Sequence, residues 1–301
     1  MGFEIGVVLP LMQYGPDRTT VRWPELREMA VRLEAMGVDT IWLPDELLWR
    51  GAPGTPPSGA WDGISMTGAV AAVTSTVKVG TWVLSALHRN PGIIAKTAET
   101  LDEIAGGRFV FGLGAGHEWP GQANAFGLPE TRIFDRFGEA LAIIVPLLRD
   151  GRADTQGTFH SARDLVQQPR GPRPGRIPLL IGGNGPKGQR HAVRHADTWS
   201  GYAEERAHVD ELGPRLATLD AICEELGRDP ATIGRGAGLQ VNTLQPAAAR
   251  PNVISGEADE IADALRSFRD AGFTQVDLMV GPGTLEAFDR LAPVVERLRG
   301  D

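Results

Sequence analysis

Short apolar runs alternate with stretches of helical periodicity along the whole chain. Ile5-Gly6-Val7-Val8-Leu9 reads as a buried strand that stops at Pro10. Leu26, Met29, Ala30, Leu33 and Met36 recur at i, i+3, i+4, i+7 and i+10, a helical stripe with Gly37 as its stop. Further strands are expected at Thr40-Ile41-Trp42-Leu43, Val77 to Leu84 and Phe109 to Leu113. Helices are expected at residues 64 to 73, from Ile94 to Ala105 before Gly106-Gly107, and from Phe134 to Leu148. The second half repeats the rhythm. Strands are read at Pro178 to Ile181, Thr198 to Gly201, Leu239 to Leu244 and Gln275 to Val280. Helices are read at about 186 to 195, 208 to 226, 258 to 271 and from Leu285 to Leu298.

Near-continuous apolar strands alternating with amphipathic helices imply a parallel sheet covered by helices. Eight such units in one chain favour an α/β fold of the (β/α)8 TIM-barrel kind, one domain over residues 1–301, against an open doubly wound sheet. Two connections are longer than plain links, about 44–63 and 151–177. The first follows a strand and so lies on the catalytic face of such a barrel. The second precedes a strand; a hairpin around Thr158-Phe159-His160 would shorten it.

Composition narrows the function classes. The 301 residues are 42% hydrophobic and 23% charged, an ordinary globular balance, with no apolar run near the ~18 residues of a membrane span. The net charge of −8 argues against nucleic acid or an anionic membrane as partner. Met1-Gly2-Phe3-Glu4-Ile5 carries no basic segment leading into an apolar one, so no signal peptide and a cytoplasmic location are expected. Cys223 is the only cysteine, which excludes an internal disulfide, a CxxC pair and multi-cysteine metal sites.

Candidate chemistry gathers after the strands. Gly112-Leu113-Gly114-Ala115-Gly116-His117 fails the dinucleotide G-x-G-x-x-G, since position 117 is histidine and no helix starts inside the motif. Alternating glycines there instead let a flat ring approach the backbone, or pack a strand end tightly. Ile181-Gly182-Gly183-Asn184-Gly185-Pro186 leads into a helix and offers free N–H groups to an anion, or is a bare turn. His191 and His195 are spaced i, i+4, but Ala192 replaces the glutamate of H-E-x-x-H; a structural pair is the stronger reading, and no metal is expected. Asp45-Glu46 ends the second strand, as an acid/base pair or as a helix-cap aspartate beside a solvated glutamate. His88 and His117 both follow strands and belong to the catalytic face. No G-x-S-x-G elbow is present.

Taken in order, Gly6-Val7-Val8-Leu9-Pro10, Trp42-Leu43-Pro44-Asp45, Val79-Gly80-Thr81-Trp82-Val83-Leu84, His88-Arg89-Asn90-Pro91, Gly107-Arg108-Phe109-Val110-Phe111-Gly112-Leu113-Gly114-Ala115-Gly116 and Ile181-Gly182-Gly183 resemble the luciferase-like flavin and deazaflavin oxidoreductases. The resemblance covers almost the whole chain. Its H-R-x-P and G-R-x-x-x-G-x-G-x-G forms are similar to the branch that uses coenzyme F420, a 5-deazaflavin; the FMN monooxygenase branch shares much of the pattern.

The resemblance implies a (β/α)8 barrel and a ring bound over the strand ends. Trp82 and Val83 back the ring, with a non-prolyl cis peptide between them; Ser85 and Asp45 lie near its edge. Ala115, Gly116, Gly182, Gly183 and Gly185 would take the phosphate and tail. Many deazaflavin relatives carry Asp-His after the second strand, where this chain has Asp45-Glu46. An acidic position after the glycine run is His117 here, with Glu118 next. The proton-handling candidates are therefore His117 and Glu46, then Glu118 and His88, and a sugar-phosphate substrate is not carried over.

The leading expectation is a deazaflavin-dependent oxidoreductase passing a hydride to or from a small organic substrate, as a homodimer. The alternatives are an FMN-dependent monooxygenase and a non-catalytic flavin-binding protein. A further expectation sets Arg149, Arg152, Arg163, Arg170, Arg173 and Arg176 against the anionic cofactor tail.

Overall fold

The computed structural model describes residues 2–13, 19–50, 54–116, 122–246 and 250–300. Its strands are β1 (Glu4–Val8), β2 (Thr40–Leu43), β3 (Lys78–Thr81), β4 (Phe109–Gly114), β5 (Leu179–Gly182), β6 (Thr198–Tyr202), β7 (Gly234–Asn242) and β8 (Gln275–Gly281). Each pairs in parallel with the next, and β8 pairs with β1, so the sheet closes on itself. The expected (β/α)8 barrel is the fold found.

The helices between strands are α1 (Trp23–Met36), α2 (Gly63–Val73), α3 (Pro91–Ile104), α4 (Ile133–Asp150), α5 (Pro186–His195), α6 (Val209–Glu225) and α7 (Ala258–Asp270). After β8 the chain forms two short helices, Leu285–Asp289 and Ala292–Arg299. Local sequence sets their ends. Asp62 accepts from Ser65 N at the start of α2, and Asn90 accepts from Gly92 N and Ile93 N at the start of α3. Gly37 closes α1 with φ +78°, a left-handed conformation that suits glycine. The outward faces of the strands and the helix stripes share one continuous core that includes Ile5, Val7, Ile41, Val79, Phe111, Ile181, Leu239 and Leu278.

Two strands differ from expectation. β7 begins at Gly234, five residues before the expected Leu239. The added stretch contains Gly234, Gly236 and Gly238, which carry no apolar signal. They are glycine because neighbours fill the barrel interior: a Cβ at 234 would meet Thr198, one at 236 Ser200 and Asp277, one at 238 Trp82. The third strand breaks at a cis Trp82-Val83 peptide and resumes as Leu84–Ser85, which pairs with Leu113 and Gly114 of β4.

The 151–177 connection is a hairpin, Arg152–Gln156 against Ser161–Val166, with its turn at 157–160 as expected. Glu139 of α4 holds that turn by accepting from the N–H groups of Thr158, Phe159 and His160. Three of the six arginines, Arg149, Arg170 and Arg173, correct the expectation of a tail-binding loop. Arg170 pairs with Glu99 at 2.6 Å, and Arg173 pairs with the fully buried Asp102 and donates to Phe109 O at the start of β4. Arg149 bridges to Asp197, which accepts from Leu179 N at the start of β5. These side chains seal the N-terminal end of the barrel, opposite the catalytic face. Among the described residues, no helix is long and apolar enough to cross a membrane.

Candidate functional site

The barrel interior faces Trp42, Trp82, Val8, Leu180 and Met279 toward one another, a small apolar cluster separate from the outer core. It exists because Gly6 and Gly80 leave room for the Trp42 indole; a Cβ at position 80 would stand 2.8 Å from Trp42 Cε3. Above it the cis Trp82-Val83 segment forms a half-buried shelf at the C-terminal ends of the strands. Trp82 reaches inward across the barrel: its Nε1 donates to Ser200 Oγ at 3.2 Å and its ring meets Tyr202 edge-on at 6.1 Å. Val83 reaches the other way, into the space left by Gly114 and Gly182, where a Cβ would lie 2.8 Å and 3.1 Å from its methyls.

The glycines of β4 therefore serve the protein itself. A Cβ at 112 would strike Thr81 O, and one at 114 would strike Val83, so of the two readings open from sequence these glycines follow the tightly packed strand end and not the room for a ligand ring. They leave room for Thr81 and Val83. Gly116, at φ +99°, is hemmed by Leu87 and Ser85 Oγ, each 2.7 Å from the position of a Cβ. Ala115 is buried beside it.

On the β5 side, Gly182 packs on Val83, and Gly183 donates to Ser200 O while its carbonyl accepts from Trp199 Nε1 at 2.8 Å. Gly185 precedes α5, is exposed and has open space around it. The α5 N-terminus follows β5 and so lies at the C-terminal face of the barrel, and no side chain caps it.

A hydrogen-bonded node ties the ends of β2, β3 and β4 together. The Asp45 carboxylate, 1% exposed, accepts two bonds from Arg89, at 2.6 and 2.9 Å, and one from Ser85 N at 2.9 Å. It also meets His88 Nδ1 at 3.2 Å. Burial alone would raise this carboxyl; the bonds from His88 and Arg89 outweigh it and hold Asp45 below the usual carboxylate range. His88 Nε2 faces the Gln122 side-chain amide at 3.3 Å. Gln122 Oε1 is already taken by Leu47 N and Leu48 N, so its NH2 points at His88. His88 then accepts at Nε2 and donates from Nδ1. The node spends its polar atoms on itself, and the His88 side chain is 5% exposed.

Glu46 is half-buried, next to Asp45 in the loop after β2. His117 and Glu118 lie outside the described residues. The structure thus brings Asp45, Ser85 and His88 together, lays Trp82 and Val83 beside Gly182, and sets Gly183 and Gly185 at the edge of the mouth.

Sequence reasoning missed four residues of this face. Gln122 orients His88, and it had no signal. Tyr202 and Gln240 end β6 and line β7, with Gln240 Nε2 donating to Tyr202 Oη at 2.6 Å; position at a barrel strand end would have flagged both. Burial pushes the Tyr202 phenol up, so it keeps its proton at neutral pH. Asp277 is fully buried in β8, and an acid between Val276 and Leu278 in an apolar strand was the available signal. Among the described residues, no group of three or more His, Cys, Asp or Glu side chains is arranged to hold a metal.

The chain is similar to known proteins over most of its length. The family model described as luciferase-like monooxygenase matches residues 3–250. The chain is 28% identical to the F420-dependent glucose-6-phosphate dehydrogenase of Kineococcus radiotolerans, over 91% of this chain and 90% of that protein. It is 33% identical to the protein of the same description from Microbacterium testaceum, over 68% of this chain and 58% of that one. Among solved structures, an F420-dependent secondary alcohol dehydrogenase in complex with an F420–acetone adduct superposes with a TM-score of 0.77 at 19% identity, over 99% of this chain and 100% of that one.

Proposed function

The chain belongs to the luciferase-like monooxygenase family, and we propose that it works there as a deazaflavin-dependent oxidoreductase, exchanging a hydride with a small organic substrate. The observation that carries this reading is the half-buried Trp82-Val83 shelf at the mouth of the barrel, with Val83 packed into the space left by Gly114 and Gly182. Relatives named for F420-dependent dehydrogenation support the cofactor.

The residues fit such a group. The shelf offers an apolar surface for a planar ring. The uncapped N-terminus of α5, with Gly185 open beside it, offers N–H donors and positive potential to an anionic tail. When bound, coenzyme F420 supplies two-electron hydride exchange at C5. The chain's own residues do the rest. Trp82 and Val83 hold the ring plane; Ser85, fixed through its N–H by Asp45, borders its edge. Ala115, Gly116, Gly182 and Gly183 shape the backbone around phosphate and tail. Tyr202, a protonated phenol steadied by Gln240, presents a hydrogen-bond donor in the mouth. His88 acts by bracing Asp45 and the Gln122 side chain. Glu46 exchanges the proton that accompanies hydride transfer, with His117 and Glu118 as the other candidates.

The substrate is read as a small organic molecule, and a sugar-phosphate substrate is not carried over, because Glu46 stands where the resemblance places the histidine of Asp-His. The protein is read as one barrel domain over 1–301 that works as a cytoplasmic homodimer. The test is a titration of the purified protein with coenzyme F420 and with FMN, followed by fluorescence quenching. Micromolar F420 binding with weak FMN binding supports the reading. Tight FMN binding without F420 binding overturns it in favour of an FMN monooxygenase, and F420 binding without turnover of any alcohol, aldehyde or ketone favours a binding protein.

A further inference from the structure

Beneath the shelf sits an acid that barrel stability does not explain. Asp277, on β8, is fully buried in the barrel interior. Its Oδ1 accepts from Trp42 Nε1 at 2.7 Å, and both oxygens accept from Gln275 Nε2, at 3.1 and 2.9 Å. The Trp82 indole N–H, bonded to Ser200 Oγ, also favours the charged carboxylate. All these donors are neutral. Among the described residues, the charge acting on Asp277 is that of Glu4, which with its ion-pair partner Lys78, at 2.7 Å, sits partly exposed at the first residues of β1 and β3. β2 presents Trp42, β3 Trp82, β6 Ser200, β7 the side-chain-free Gly236 and Gly238, and β8 itself Gln275. A carboxyl bonded only by neutral donors in such a core costs stability when ionised, and groups of this kind beneath a cleft are candidates for function.

We propose that Asp277 is a positioning residue of the cofactor site, whose carboxylate, held under the Trp82 shelf by Trp42 and Gln275, weakens the hold on reduced cofactor relative to oxidised. The inference rests on the ring lying on Trp82 and Val83. A hydride arriving on the ring brings one negative charge. A carboxylate one layer below, in a poorly screened interior, opposes that charge; a neutral carboxylic acid does not. Ionised Asp277 thus favours the state in which the hydride has been given up. Burial pushes this carboxyl up to about 6, the bonds from Gln275 and Trp42 pulling the other way, so the charge appears within the working pH range. Below that range the floor is neutral and reduced cofactor binds relatively better.

The experiment measures dissociation constants of oxidised and of chemically reduced coenzyme F420 by calorimetry, for the full chain between pH 5 and 8. The ratio of reduced to oxidised constants is expected to rise roughly 10-fold with pH in the native protein, centred near 6. Asp277→Asn is expected to stay near the low-pH ratio; titration of the cofactor itself is common to both proteins and cancels. An equal rise in the variant overturns the proposal. If Asp277→Asn does not fold, Trp42→Phe, which removes one donor to the carboxylate, is expected to move the rise to higher pH, and an unmoved rise overturns the proposal. Binding of both forms with a pH-independent ratio overturns this inference alone. Failure of the native protein to bind either form overturns it together with the deazaflavin reading.

Discussion

Trp82 lies where a side chain at Gly238 would be: a Cβ added at 238 would stand 2.6 Å from Trp82 Cη2. Trp82 directly follows β3 and Gly238 lies in β7, on opposite sides of the barrel, and the glycine sets how far the indole reaches across. Gly238→Ala is expected to push Trp82 out of this position and tilt the shelf. Overpacking of this kind costs ~1–3 kcal/mol. Affinity for the deazaflavin is expected to fall about 10-fold or more, read by fluorescence titration, with circular dichroism confirming the fold. Unchanged affinity would show that the ring does not depend on Trp82.

Arg89→Met leaves the Asp45 carboxylate buried with His88 and Ser85 N as its remaining partners. Removing one member of a buried pair costs ~3–5 kcal/mol. Arg89 is partly exposed, so the lower end applies, and the melting temperature is expected to drop by roughly 5–10 °C. Acid sensitivity follows the sign of the shift. Asp45 is held below its unfolded value, so its contribution is present above about pH 4 and lost as pH falls through the lower folded value. In Arg89→Met that loss is expected to begin at higher pH, visible in melting curves between pH 3 and 7.

His191 packs edge-on against Phe137 at 5.2 Å, with its Nδ1 buried and unbonded. Burial, with His195 and Arg194 adding positive charge, lowers it to about 4 from 6.5. The folded state therefore favours the neutral ring. This contribution is whole above about pH 6.5 and is lost as pH falls from 6.5 toward 4, by about 1–2 kcal/mol after allowing for partial exposure. His191→Phe is expected to flatten the stability profile in that window, and an unchanged profile would assign the acid sensitivity elsewhere.

Glu46→Gln and His117→Ala separate the two leading proton carriers. Loss of the true carrier lowers turnover by ~10²–10⁴-fold at saturating F420 while the dissociation constant of the cofactor changes less than about twofold. A fall in cofactor affinity without a fall in turnover would reassign the residue to binding.

Arg173→Met tests the corrected role of the arginine-rich segment. It leaves Asp102 buried without its cation; Arg173 is partly exposed, so the expected loss of stability lies at the lower end of ~3–5 kcal/mol. F420 affinity at low salt is expected to be unchanged, since Arg173 works at the N-terminal end of the barrel. Weaker binding in a protein that melts normally would restore the tail-binding role.

The sequence by itself determined the eight-unit barrel and most element positions, because apolar periodicity and stops such as Gly37 act within a few residues of the chain. It also placed the shelf at Trp82-Val83, through resemblance, and the hairpin turn near residue 159. It misread β7, because Gly234, Gly236 and Gly238 have no side chains to show a pattern; what they face comes from other strands. It left the β4 glycines open between a ligand and tight packing, since nothing local reveals that Val83, about thirty residues earlier, fills that space. It sent the arginines to the cofactor, while their carboxylates, Glu99 and Asp102, lie some 71 residues away in sequence on α3. The Asp45–Arg89–His88–Gln122 node and the acid under Trp82 also exist only once the barrel closes. Closure brings distant strand ends within hydrogen-bonding distance and removes the water that would otherwise screen them, and both the partners and the perturbed ionisation of these groups follow from that.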